Sequence, residues 1–125
     1  MPAVTAVQSL AKGWASAVWS GMGTADVGYG VRMFRYGDKT AQSYLEAGGQ
    51  FGTSSVFVEG SNNTTNRSDG SWIYITAPLA ANIALSQPNS GTNMEALVEN
   101  PYWIRPRIGT GTGSMITVAI FGVKH

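Results

Sequence analysis

"SSVFVEGSNNTTNRSDGSWIYI", residues 54–75, sets an apolar alternation on either side of a run of polar, turn-prone residues. The flanks, "SVFVEG" and "SWIYITA", are dense in the β-branched and aromatic residues that favour strands. The middle decides how the two flanks are related. Asn62, Asn63, Asn66 and Asp69 are all oxygen-bearing, so a calcium site is one reading. Such sites gather several carboxylates, and the common calcium-binding loop ends in a bidentate Glu; residues 61–70 supply a single carboxylate and no such ending. Asn, Asp, Ser and Gly are also the residues that turn chains, and Asp69-Gly70 is a tight-turn pair. The stretch is therefore read as an antiparallel hairpin with a solvated outer tip. Its three glycosylation sequons, at Asn62, Asn63 and Asn66, are read as by-products of that turn composition.

The period of two continues in both directions. In "VGYGVRMFRY", Val27, Tyr29, Val31 and Met33 share a face, with Arg32, Phe34 and Tyr36 opposite. "KTAQSYL" sets Ala41, Ser43 and Leu45 against Thr40, Gln42 and Tyr44, and "ANIALSQ" puts Ile83 and Leu85 on one side. "NPYWIRPRI" places Tyr102, Ile104 and Ile108 on one side, with Trp103, Arg105 and Arg107 on the other. Pro106 cannot donate to a ladder, so that strand is expected at an edge or bulged. "SMITVAIFGVK" is apolar on both faces, as a central strand buried on both sides would be. Turn residues separate these runs at roughly 8 to 12 residue intervals, the spacing of an antiparallel sandwich or barrel. "NMEALVE" reads as either a helical turn or a short strand.

Residues 5–20 break the pattern. Val7, Leu10, Ala11, Trp14 and Val18 are spaced as on a helix, although Gly13 weakens it. The expectation is an irregular or short-helical N-terminal arm over residues 1–24, followed by an all-β domain over residues 25–125 with about eight strands. Trp14, Val18 and Trp19 of the arm are expected to reach a neighbouring subunit. Removal of residues 1–20 would then abolish attachment or oligomerisation and leave the β domain folded.

A length of 125 residues fits one domain with one core. Charged residues make up only 12% of the chain, about half the usual share, and Gly, Ser, Thr and Asn replace them. That mix suits short strands and tight turns over exposed helices. The net charge is +1, and Arg32/Arg35 and Arg105/Arg107 are the only local basic pairs, which offers no footprint for nucleic acid. No apolar run approaches the ~20 residues of a membrane span, and residues 1–21 lack the plan of a leader peptide. No nucleic-acid or membrane partner is expected.

Catalytic readings are weak. With no cysteine there is no thiol nucleophile or thiolate metal site. The only histidine, His125, is the last residue, a poor place for the base of a triad. Most of the seven carboxylates lie in or beside turns, and "GMGT" and "GTGTG" lack the Gly-Lys-Ser/Thr ending of a phosphate loop. No enzymatic activity, metal or cofactor is expected. Four Trp are the more unusual feature. Trp72 is expected in the core, whereas Trp103, aligned with Arg105 and Arg107, is expected on an exposed side. Trp and Arg are enriched where proteins associate, so Trp14, Val18, Trp19, Trp103, Arg105 and Arg107 are the candidate interface residues.

Six phrases then occur in an order that resembles a group of small virion proteins of tailed bacteriophages. They are "GDKTAQ" (37–42), "GQFG" (49–52), "VFVEGSN" (56–62), "DGSW" (69–72), "NPYWIRPRIGTGTGS" (100–114) and "ITVAIFG" (116–122). The likeness spans residues 19–123. It departs from the group where "NTTNRS" lengthens the hairpin tip and where "GTGTG" stands for a Thr-Gly-Gly triplet. The resemblance implies an antiparallel β-sandwich, jelly-roll-like, acting as a head decoration or cement protein. Such a protein is assembled in the bacterial cytoplasm and sits on the capsid surface as a homodimer or homotrimer. There it clamps neighbouring major capsid protein subunits and does no chemistry. Two alternatives stay open: a carbohydrate- or host-surface-binding module using Trp103 and the 61–70 loop, and a tail or baseplate component.

Overall fold

The computed structural model describes residues 4–64, 70–75 and 94–124. Among them eight strands form two antiparallel sheets, and no helix occurs. The strands are β1 (Val7–Ala11), β2 (Trp14–Met22), β3 (Asp38–Gln50), β4 (Val56–Ser61), β5 (Ile73–Tyr74), β6 (Met94–Leu97), β7 (Trp103–Ile108) and β8 (Ser114–Val123). One sheet has the order β1-β2-β8-β3-β6, the other β5-β4-β7. The strand expected at Ile83 and Leu85, the turn at Asp69 and His125 lie outside the described residues.

The central position read for β8 holds, since β2 and β3 both pair with it, but burial on both faces does not: Met115, Phe121 and Val123 on its outer face are 42%, 44% and 37% exposed. Its even-numbered residues Ile116, Val118 and Ile120 are fully buried. They meet Ala15, Ala17 and Trp19 of β2 and Ala41 of β3, and the same buried cluster takes in Val56, Val58, Ile104 and Ile108 of the smaller sheet. One core therefore draws on both sheets. β3 follows the alternation read for it, with Ala41 and Ser43 buried and Thr40 and Tyr44 exposed. "NMEALVE" gives the short strand β6, and within the described part of "SWIYITA", residues 71–75, Ile73 and Tyr74 form β5.

The N-terminal arm is corrected. Residues 7–22 are not irregular or helical but a hairpin, β1–β2, turning at Lys12-Gly13, where Gly13 takes φ +91°. The residues that suggested a helix are the ones left outside: Val7 and Leu10 are each 71% exposed and Trp14 37%. The set with period two, Ala15, Ala17 and Trp19, goes into the core. Burial of that set, together with a glycine suited to a tight turn, outweighs the helical spacing.

Pro106 sits where its missing donor does least harm. β7 is the end strand of its sheet, and residues 26–31 run along its open side through Gly28 N–H to Pro106 O (2.9 Å) and the Val31–Ile104 pair. A residue's N–H and C=O point to the same side of a strand, so the proline nitrogen also faces residues 26–31 and no β4 bond is lost. Gly28 makes that approach feasible. A Cβ there would lie 2.6 Å from Pro106 Cδ and 2.7 Å from Trp19 Cδ1. Gly28→Ala is expected to cost about 1–3 kcal/mol through overpacking, measured by denaturant unfolding.

A bulge in β2 between Trp19 and Met22 is braced from β3. Glu46 Oε2 accepts from the Gly21 amide at 2.6 Å and from the Thr117 hydroxyl at 2.7 Å. These two donors, the amide foremost, hold its carboxyl below the usual carboxylate range. A depressed folded pKa gives stability that is present above the unfolded value and lost as the pH falls through the folded one. Unfolding free energy is thus expected to fall as the pH drops below about 4.3, the ordinary Glu value, and Glu46→Gln to flatten that fall.

Candidate interaction surfaces

The smaller sheet carries an ion cluster on the face away from the core. Glu59 lies directly across from Arg105 in the β4–β7 register. Its Oε1 accepts from Arg105 Nε and its Oε2 from Arg107 Nε, each at 2.9 Å. Trp72 covers Arg105, whose guanidinium lies 4.0 Å from the ring centroid. Glu59 and Arg105 side chains are only 5% and 7% exposed. Burial pushes the Arg105 pKa down, and the Glu59 hydrogen bond and charge push it back up. This arrangement is a structural clasp between β4 and β7. Arg105 is therefore not free to meet a partner, Arg107 presents only part of its side chain, and Trp72 serves as a lid on the cluster, not as a core residue.

A concave site lies at the other end of β7. Its cleft, about 310 Å³, opens between β1 and the segments 31–36 and 102–103. Tyr102 is at its centre. It stacks on Phe34 with centroids 4.8 Å apart and meets Trp103 edge-on at 5.6 Å. Arg32 donates to the Tyr102 hydroxyl at 2.9 Å, and its guanidinium lies 5.6 Å from the Trp103 ring centroid. Arg35 and Leu10 complete the rim.

Polar side chains fix the backbone behind these rings. Asn62 Oδ1 accepts from the Tyr102 amide at 2.7 Å, so one residue of the polar hairpin anchors the corner that presents Tyr102 and Trp103. Asn63 Oδ1 accepts from Ser71 N at 2.8 Å and closes the base of the hairpin. The Asn100 amide donates to Phe34 O at 2.7 Å. Buried Lys39 donates to Tyr36 O at 2.9 Å and to Asn100 Oδ1, tying down the turn that carries Phe34 and Arg35. Desolvation lowers the Lys39 pKa, with Asp38 opposing. Asn62 and Asn63 themselves line a separate depression of about 550 Å³ together with Ile73 and Pro101. The Trp103 cleft and the hairpin thus form two neighbouring sites. Among the described residues no group of three or more His, Cys, Asp or Glu is placed to hold a metal ion.

Of the six candidate interface residues, Trp19 is the clearest loss. It is fully buried, and its Nε1 donates to Tyr29 O at 3.0 Å. Trp14 and Val18 lie on the outer face of the large sheet, where Trp14 stacks on Phe121 at 5.6 Å. Trp103 is half-exposed in the cleft. Sequence reasoning missed Arg32, Phe34 and Tyr102 as a unit, because their assembly spans about 70 residues of chain. Compared with protein-family models, with curated proteins and with solved structures, the chain matches none.

Proposed function

We propose that this chain is a structural protein of a tailed-phage virion, a head decoration or cement protein that grips the outside of the shell. Its two sheets form a β-sandwich of jelly-roll type, built in the bacterial cytoplasm and carried on the capsid surface. It holds neighbouring major capsid protein subunits together by contact and carries out no reaction. The order of the six phrases supports this reading. The observation that carries it is the Arg32–Tyr102–Trp103 cluster, which presents the residue types that dominate association energies on a backbone held by Asn62, Asn100 and Lys39. Many copies bound only to the assembled shell would stabilise it by mass action.

Cryo-microscopy of particles carrying the protein tests the location directly. Density on the outer shell is expected, whereas density in the tail or baseplate would reject the decoration role. In reconstitution, Trp103→Ala and Arg32→Ala should each weaken shell binding roughly 10-fold or more with little change in thermal midpoint. Undiminished occupancy in both would remove the cleft from the contact.

One observation favours a second reading. A concavity of about 310 Å³ edged by Trp103 and Tyr102 has the size and aromatic lining of a site for a host-surface sugar. Saturable quenching of tryptophan fluorescence by glycans, lost in Trp103→Phe, would favour that reading.

A further inference from the structure

The outer face of the five-stranded sheet carries an inference that does not depend on where the protein resides. Register places Val7, Val18, Ala119, Gln42 and Met94 in one row across all five strands. The adjacent row is Ser9, Ser16, Phe121, Thr40 and Ala96. Beyond these rows stand larger groups that remain open to water. Trp14 and Val123 are each 37% exposed at one end, and Tyr44 and Met115 are 38% and 42% exposed at the other. None of the described residues that register assigns to this face is Lys or Arg. Its carboxylates, Asp38 and Glu46, lie toward opposite ends of β3, and Glu46 is already engaged by Gly21 and Thr117.

We propose that this face packs against the same face of a second copy, sheet upon sheet, as a two-fold dimer. Two features of the face select that occupant. The first is area: five strands of 4 to 13 residues, at ~3.4 Å rise and ~4.8 Å spacing, give roughly 700 Å², close to the ~800 Å² per partner of a stable interface. The second is charge. A face with no cation and two carboxylates at its ends offers a basic or acidic partner little to pair with, whereas an uncharged centre of apolar, hydroxyl and amide side chains is compatible with itself. Ser9, Ser16, Thr40, Ala96 and Ala119 in the two central rows leave room for the sheets to approach to ~10 Å, the spacing of packed sheets. Trp14, Phe121, Tyr44 and Met115 then interdigitate. Several exposed large apolar groups on one uncharged face, Trp14, Phe121, Tyr44, Met94 and Met115, mark an association site.

Sedimentation equilibrium of the purified protein, with no shell present, tests this. The expected mass is twice 13.2 kDa at micromolar concentration. Ala119→Arg and Val18→Lys should each raise the dimer dissociation constant roughly 100-fold or more, by burying an unpaired charge. Both project outward, so the thermal midpoint of the monomeric variants serves as the control for folding. A wild-type monomer at ~100 μM, far above the dissociation constants typical of a standard interface, would overturn the proposal. So would a trimer, since a self-matched face closes at two copies, or a dimer indifferent to both substitutions. A monomer that still decorates shells would sink this inference and leave the decoration reading standing. A dimer that binds no shell would do the reverse.

Discussion

Glu59→Gln is expected to lower the unfolding free energy by about 3–5 kcal/mol, a large part of the ~5–15 kcal/mol that holds a typical domain together. The substitution keeps the shape of the side chain and removes its charge. Arg105, only 7% exposed and roofed by Trp72, would then keep its desolvation cost without its carboxylate. Arg107 matters less, because 35% of its side chain reaches solvent and screening weakens its share. The same argument predicts a partial rescue. A double variant, Glu59→Leu with Arg105→Met, replaces the ion pair by apolar packing and should recover much of the loss. Denaturant unfolding of the three proteins checks both statements. A single variant within about 1 kcal/mol of the parent would mean that the cluster is as well solvated as a surface pair.

Removing residues 1–20 is expected to abolish cooperative folding, the reverse of what an appended arm would predict. The deletion takes Ala15, Ala17 and Trp19 out of the core and strips β8 of its β2 neighbour along six residues, Val118–Val123. Trp19→Ala alone should cost about 3–5 kcal/mol, since it opens a cavity and loses the bond to Tyr29 O. Stopping the deletion at residue 11 should be milder, because every residue of β1 is exposed and the loss from the core is confined to the partly buried Val4 and Ala6. Near-ultraviolet circular dichroism and thermal scans of the two deletions provide the comparison. A sharp unfolding transition in the longer deletion would show that β2 is dispensable.

The candidate sites were less legible than the strands. Glu59 lies within the strand pattern "SVFVEG", and Arg105 and Arg107 form a basic pair. Nothing local joins them, because their pairing depends on which residue of β4 faces which residue of β7. The Tyr102–Trp103 corner was half-readable, as "NPYWIRP" marks an aromatic pair beside a proline. Arg32 reaches it because Val31 pairs with Ile104, and Phe34 because Lys39 and Asn100 hold the 33–36 turn beside it. The polar hairpin 61–70 reads as a turn from its composition, yet Asn62 also sets the Tyr102 backbone, a role that no turn propensity encodes.

Side-chain alternation with a period of two was enough to declare an all-β chain, an apolar run on both faces to put β8 in the middle of a sheet, and a missing donor to send Pro106 to an edge. Those conclusions need only the pleat and the missing proton of a proline, both local properties. The fate of residues 7–22 was not local. Their apolar residues satisfy a helical stripe and a strand alternation alike, and only the presence of β8 as a partner, burying Trp19 and leaving Leu10 in water, selects the strand. Likewise the Glu59 clasp and the open five-strand face come from register between segments distant in sequence. Hydrogen-bond partners and burial settle register, and neither exists until the chain has folded.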